Sequence, residues 1–323
     1  MTPAVRRSDP ELRTSTLVTG AGGFLGAHVV AAAVAAERAR DARGRVVGAA
    51  RDPGAAPRFG SPRDAARWVG VDLAAPHAAD ELLAELSPLR VLHCAALARV
   101  AACEDDPAAA ENLNARLAGE LARACARLGI RLVHVSTDLV FGAREAPAGG
   151  FAEDAAPEPV SAYGRTKAAG ELAVLDAHPA ALVARLPLLY GDSAGRGAGA
   201  SDSLLAAVER GEVPALFVDE WRTPLEVENA AEALVELARG ERSGILHVAG
   251  PERVTRHELG LAVLEAMGLA PGDARPLVRA ARRAEVPTRG ARPGDVSLSS
   301  AAARALLSTE LLGVRAGLQR AMR

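Results

Sequence analysis

The chain has 323 residues, 49% of them hydrophobic and 24% charged, with a formal net charge of -2. This composition excludes a disordered tail protein, and the near-neutral balance gives no global attraction to nucleic acid or to an anionic bilayer, so neither is an expected partner. The length lies just above the size at which one hydrophobic core stops growing, which predicts a large domain with a smaller lobe.

Residues 1–13, MTPAVRRSDPELR, lack the apolar run of a secretory signal and read as a disordered start. A buried strand is predicted at STLVTG, residues 15–20, followed by a helix over about 23–41. Its most apolar stretch, AHVVAAAVAA from Ala27, is too short to span a bilayer. Further strands are predicted at RVVGAA from Arg45, WVGVD from Trp68, RVLHCAA from Arg90, RLVHVS from Arg131 and ALVARL from Ala181. Helical patterns at 76–86, 107–128 and 161–176 separate most of them. Strands that stay apolar without alternating, joined by helices, indicate a parallel sheet covered on both faces. The predicted fold class is α/β, a doubly wound parallel sheet, whose ligands lie at the carboxyl ends of the strands.

The first such end carries TGAGGFLG, with Gly20, Gly23 and Gly26 around Phe24 and Leu25. A glycine pattern in isolation fits an ordinary tight turn. After the first strand of a doubly wound pattern it allows a diphosphate to approach the backbone and meet a helix amino terminus, so a dinucleotide is the expected ligand. The second strand ends in Arg51 and Asp52. An acid there would accept the ribose hydroxyls of NAD, whereas an arginine forks onto the extra phosphate of NADP. Arg51 comes first, so NADP(H) is the expected cofactor and NAD(H) the alternative; a solvated arginine beside a turn fits the same residue. The third strand ends at Asp72 and Leu73, placed to touch adenine, although Asp72 also suits a turn cap. Cys94, Cys103 and Cys125 are odd in number and follow no metal spacing, so no metal is expected and they read as small hydrophobes in a reducing compartment.

SAYGRTKAAGEL, from Ser161, holds the only lysine among 38 basic residues and one of two tyrosines. Tyr163 and Lys167 are four apart on the predicted helix, which puts them on one face, roughly 5 to 6 Å apart at their bases. A phenol holds its proton to a pH of about 10. A cation at that range, at an effective dielectric of about 20, contributes about 3 kcal/mol, or roughly two pKa units, towards phenolate. A compact ammonium with three donors can do this and still reach ribose hydroxyls, which an arginine fork cannot. Ser136 and Thr137, where the strand from Arg131 ends, supply a hydroxyl at the same edge.

With VSTDLVFG, AYGRTKAAGE, RLPLLYG, GILHVAGPERVTRHELG and RPGDVSLSS added to the glycine turn, the chain resembles the extended short-chain dehydrogenase/reductase family over nearly its whole length. Within it, the dTDP-4-dehydrorhamnose reductase branch is the most similar. The resemblance implies a Rossmann-like dinucleotide-binding domain at 14–190 with a returning segment at about 222–250, and a substrate lobe at 191–221 and 251–323. It implies hydride transfer between a nicotinamide and a carbonyl carbon, Tyr163 giving the oxygen its proton, Thr137 holding that oxygen, and Lys167 binding the ribose and tuning Tyr163. Ala95, Ala96 and Leu97 would pass along the cofactor, and residues 186–188 would lie near its nicotinamide. Asn114 would brace the site, or face the core. A homodimer in the cytoplasm is implied in the same way.

The departures from the branch concern the sugar. Leu139 stands where an aromatic is usual, Leu188 where a tryptophan is, and Ala98, Arg99, Val100, Ala101 and Ala102 stand in place of the usual Thr-x-Val-Asp-Lys pattern. Thr137, Asp138, Leu139, Leu188, Arg222 and Arg292 are the candidate substrate residues, and the lack of a glutamate beside Asp138 argues against a 4,6-dehydratase. GDSAGRGAGASDS, from Gly191, reads as a mobile loop over the site. Six arginines between positions 275 and 292 fit a clamp on a nucleotide diphosphate, a solvated basic face, or RNA contact. His93 and His134 read as core residues. The expected activity is NADPH-dependent reduction of a 4-keto sugar nucleotide; an epimerase or small-carbonyl reductase of the same family, or a non-catalytic NADP-binding subunit, are the alternatives.

Overall fold

A computed structural model of the chain describes residues 14–40, 45–54, 59, 66–194 and 198–321. The expected disordered start and residues 195–197 of the expected loop lie outside them. In chain order the elements begin β1 (Thr14–Thr19), α1 (Phe24–Arg38), β2 (Arg45–Ala50), β3 (Arg67–Gly70), α2 (Ala78–Leu86) and β4 (Arg90–His93). There follow α3 (Val100–Asp105), α4 (Pro107–Glu111), a π-helical turn (Asn112–Arg116), α5 (Leu117–Leu128), β5 (Arg131–Thr137), α6 (Ala162–Ala177) and β6 (Leu182–Leu186). After β7 (Leu189–Tyr190) come α7 (Ala200–Glu209), β8 (Ala215–Phe217), β9 (Trp221–Arg222), β10 (Leu225–Glu226), α8 (Val227–Arg239) and β11 (Gly244–His247). The C-terminal part adds β12 (Val254–Thr255) and α9 (Arg256–Ala266).

Seven strands form one parallel sheet in the order β11-β6-β5-β4-β1-β2-β3. The chain winds outward from β1 to β3 and then returns to the other side of β1, so the connections diverge between the carboxyl ends of β1 and β4, where a doubly wound sheet opens its ligand crevice. Successive strand residues explain the unbroken apolar runs. Val18, Val46, Leu92, Val133 and Leu182 pack with α1 and α8 on one face. Their neighbours Leu17, Val47, Val91, Leu132 and Val183 pack with α2 and α5 on the other. Each such side chain contributes about 1.5–3 kcal/mol by leaving water. A separate cluster of Tyr190, Leu204, Leu259, Val263 and Leu264 builds the lobe from α7 and α9.

The helix expected over 107–128 is continuous between those bounds, α4 and α5 being joined by the π-helical turn, and its start is set by a cap. Asp106 adopts φ -136° and caps α4 by accepting from Ala109 N at 2.9 Å, with Pro107 at the first helical position, which separates α3 from α4. The third strand stops at Gly70, so Asp72 lies in the turn beyond it.

Candidate active site

Gly20 leaves β1 at φ +67°, and a Cβ there would lie 2.5 Å from Ala95 N, so the turns after β1 and β4 touch in a way only glycine permits. Gly23 follows as the exposed, extended N-cap of α1, with no side-chain cap and no acid in the first turn. The amino terminus of α1 thus offers its N–H groups without a competing side chain, and the loop of Gly20, Gly23, Phe24, Leu25 and Gly26 fits a dinucleotide diphosphate. Arg51 is exposed at the tip of β2, while Asp52 accepts from Gly54 N at 2.9 Å in a turn. Asp72 is also tied into a turn, accepting from Ala74 N at 3.0 Å, and Leu73 is buried against the α2 side of the sheet.

Ala95, Ala96 and Leu97 line the turn after β4, and Asn114 fixes it. Asn114 is buried in the π-helical turn; its Oδ1 accepts from Leu97 N at 2.8 Å, and its Nδ2 donates to Leu97 O at 3.1 Å and to Thr166 Oγ1 at 3.0 Å. One amide thereby ties the β4 turn to α6, so bracing and burial are the same property.

Two caps start α6: Ser161 Oγ accepts from Gly164 N at 3.1 Å, and Glu104 Oε1 accepts from Ala162 N at 2.8 Å. A Cβ on Gly164 would come within 2.1 Å of Leu139 O, so the missing side chain lets the first turn of α6 close onto the segment after β5. This approach sets Tyr163 beside Thr137 and Asp138. Thr137 Oγ1 donates to Asp138 Oδ1 at 3.0 Å and accepts from Leu139 N at 3.2 Å. Burial, then opposed by Arg222 and by the Thr137 hydrogen bond, raises the Asp138 pKa to about 6.

The expected tuning of Tyr163 is not what the residues around it do. Its phenol is pushed above the ordinary tyrosine value, by burial first and then by the charge of Asp138. Lys167 shares its helical face but runs down to the sheet, where it is 2% exposed. Its Nζ donates to Val135 O at 2.7 Å and meets His134 Nε2 at 3.2 Å. Spacing alone fixed the shared face; these acceptors fix where the ammonium goes. Two of its three donors are thereby engaged. Burial lowers its pKa to about 8, with Glu171 and Cys94 opposing.

His134 is buried in the core, as expected, and it stands in a row of polar side chains across the sheet. Thr19, His93 and His134 are lateral partners across β1, β4 and β5. Thr19 Oγ1 lies 2.6 Å from His93 Nδ1, and the two imidazoles stack at 5.2 Å. Burial and the Lys167 charge hold both rings neutral, with the His93 pKa at about 3. A neutral His134 accepts from Lys167 through Nε2, which leaves its own proton on Nδ1.

The lobe reaches this edge through Arg222. Its Nε lies 3.7 Å from Asp138 Oδ2, and its other nitrogens donate to Trp221 O and Gly294 O at 2.6 and 2.9 Å and to Pro293 O at 3.4 Å. Arg292 forks onto buried Glu220 at 2.8 and 2.9 Å, and Glu220 also faces Arg222 at 3.3 Å and Arg256 at 3.9 Å. Glu220 and Arg256 are thus parts of the constellation that sequence reasoning missed. Two other arginines of the basic run pair elsewhere: Arg289 with Asp105 at 2.8 Å, and Arg283 with Asp219 at 3.6 Å. Leu139 packs with Val140 and Phe141, whereas Leu188 packs against the lobe cluster. Among the described residues no His, Cys, Asp and Glu group could hold a metal, and no helix is long and apolar enough to cross a membrane.

Comparison with known proteins bears on this geometry. Residues 14–323 match the family model described as the RmlD substrate binding domain. A probable low-salt glycan biosynthesis reductase, Agl14 of Haloferax volcanii, is 33% identical over 279 residues, covering 85% of this chain and 86% of that protein. A dTDP-4-dehydrorhamnose reductase of Mycobacterium tuberculosis is 36% identical over 266 residues, covering 81% and 78%. MoeE5, solved in complex with UDP-glucose and NAD, superposes with a TM-score of 0.73 at 26% identity, covering 95% and 97%.

Proposed function

The chain belongs to the RmlD substrate binding domain family, the dTDP-4-dehydrorhamnose reductase-like branch of the extended short-chain dehydrogenases/reductases, and from that premise we propose that it reduces a 4-keto sugar nucleotide with NADPH, Tyr163 supplying the proton. The observation that carries this reading is the closure of α6 onto the end of β5, which groups Thr137, Asp138 and Tyr163 at the same carboxyl edge of the sheet as the glycine turn. UDP-glucose and NAD in MoeE5 support the substrate and cofactor classes, and the exposed Arg51 supports NADP over NAD.

The cofactor, when bound, supplies the hydride. The turn at Gly20, Gly23, Phe24, Leu25 and Gly26 would hold its diphosphate, Asp72 and Leu73 would border the adenine, and Ala95, Ala96 and Leu97 would follow its length. Tyr163 begins the reaction protonated, as its raised pKa requires, and passes that proton to the carbonyl oxygen as negative charge develops there. Thr137 donates a hydrogen bond to the same oxygen. Lys167, seated on Val135 O and His134, keeps one donor for a ribose hydroxyl. Asp138, Leu139, Leu188, Arg222 and Arg292 would border the sugar nucleotide, Arg292 being the one drawn from the substrate lobe of 191–221 and 251–323. Pairing of two cytoplasmic copies through α5 and α6 belongs to the same reading, with Leu172 of α6 66% exposed.

Purified protein should oxidise NADPH stoichiometrically with a dTDP-4-keto-6-deoxy sugar. Inactivity across all nucleotide sugars would refute the reading, and conversion without net NADPH loss would mark an epimerase. The lysine seat is testable too. His134→Phe removes an acceptor that favours the charged ammonium, so the Lys167 pKa falls below about 8 and the alkaline limb of the pH–rate profile moves to lower pH. A hydrogen bond to a charged group is worth about 1.5–3 kcal/mol, so the expected shift is about one to two units. His134→Gln, whose amide oxygen accepts, should restore most of it.

A further inference from the structure

We propose that Asp138 is a proton-dependent positioning residue, which decides whether the hydroxyl of Thr137 points inward or donates to the substrate's carbonyl oxygen. The inference rests on the function proposed above and goes beyond it by adding a residue that acts through Thr137.

A threonine hydroxyl has one proton and two lone pairs, and an ionised carboxylate can only accept. Thr137 Oγ1 lies 3.0 Å from Asp138 Oδ1, and Leu139 N donates to Oγ1 at 3.2 Å. With Asp138 ionised, the single proton of Thr137 is committed to the carboxylate. The hydroxyl then offers a carbonyl oxygen only a lone pair, which repels it. With a proton on Oδ1, the carboxyl instead donates to Thr137, Oδ2 stays towards Arg222, and Thr137 is released to donate into the cleft. The order of donors reverses with one proton.

The surroundings of Asp138 keep both states accessible. The carboxyl is buried, and its Oδ2 makes no hydrogen bond among the described residues. Facing it are Arg222 of β9, with Nε 3.7 Å from Oδ2, and the charge of Arg256 at the start of α9, both favouring the carboxylate. Burial and Glu220 oppose them, and the Tyr163 phenol of α6 feels the Asp138 charge and hydrogen-bonds with Thr137. The balance puts the Asp138 pKa at about 6, within the range of ordinary assay buffers.

The sign follows. Reduction requires the protonated carboxyl, so kcat/KM of the parent should fall tenfold per pH unit as pH rises from about 6 to 8, the slope of one ionisation. Asp138→Asn places a permanent amide donor against Thr137 and should remove that limb, raising kcat/KM at pH of about 8 relative to the parent. Arg222→Gln withdraws a cation that favours the carboxylate, and should move the limb up by about one unit. A limb centred near pH 6 that persists in Asp138→Asn, or stays in place in Arg222→Gln, overturns the proposal; the separate limb of Lys167 near pH 8 remains in every variant. Infrared difference spectra provide a readout independent of substrate: a protonated-carboxyl C=O band that titrates near pH 6 in the parent and is missing from Asp138→Asn supports the assignment, and its presence in both overturns it. Failure of the function itself would show differently, as a parent that does not oxidise NADPH while this band still titrates.

Discussion

Tyr163→Phe should bind NADPH as the parent does and lose turnover by about a thousandfold, the range that a positioned general acid contributes. The ring is partly buried against Cys103, Ala162 and Leu97, and phenylalanine keeps all of that apolar contact. What disappears is one oxygen beside Thr137 and Asp138, so the fold and the glycine turn are left alone. The phenol is raised above its ordinary value by burial and by Asp138, and is therefore protonated throughout the working range. In the reductive direction this is the required starting state, because the proton must stay until the carbonyl oxygen becomes basic. Cofactor binding followed by fluorescence, alongside single-turnover NADPH oxidation, separates the two effects. Retained turnover would remove Tyr163 from the chemistry, and a cellular phenotype that survived the substitution would favour a scaffold in place of an enzyme.

The parts of the molecule legible in the sequence are those set by local physics. Leu17 and Val18, or Leu132 and Val133, read as an unbroken apolar run because each faces a different helical layer. Gly20 was legible because its position after a buried strand demanded a turn, and φ +67° against Ala95 is that demand in three dimensions. Tyr163 and Lys167 were legible as one helical face. The destination of the ammonium was not, since it depends on His134 lying across the sheet from Thr19 and His93, a matter of strand register between distant segments. The arginine run shows the same limit. Charge density fitted a clamp, a solvated face or RNA contact alike, and could not show that Arg292 meets Glu220, which is 72 residues away, or that Arg289 meets Asp105. Only the fold chooses such partners. The π-helical turn at Asn114 had no composition signal at all, since Glu111, Asn112 and Arg116 beside it are polar too; the family resemblance marked Asn114, and burial then requires its amide to find partners.

Arg185→Met should destabilise the protein by about 3–5 kcal/mol, because it strands a buried carboxylate. Arg185 of β6 is 0% exposed and Glu171 of α6 2% exposed. Nη2 meets Oε2 at 2.7 Å and Nε meets Oε1 at 2.9 Å, while Ser136 Oγ also donates to Oε1. The guanidinium is further held by His247 Nε2 at 3.3 Å and lies over the Phe141 ring at 5.1 Å from its centroid. Methionine approximates the stem but supplies no donor, so Glu171 would keep only the Ser136 hydrogen bond and the field of Lys167, and must either hold a charge without a direct ion-pair partner in the core or take up a proton on folding. Both outcomes cost stability, and the second makes the variant more stable in mild acid than at neutral pH, since the folded state then binds more protons than the unfolded one. Urea denaturation at two pH values measures this: the midpoint should fall while the slope stays constant. The double replacement Arg185→Met with Glu171→Gln removes the stranded charge, and its loss should be smaller than the sum of the single losses by about 0.5–3 kcal/mol. Strictly additive losses would mean that the pair does not act as a unit. The same α6 carries Tyr163 and Lys167 two turns or less away, so a variant that unfolds locally here would lose turnover as well, and activity measured on the folded fraction separates that from chemistry.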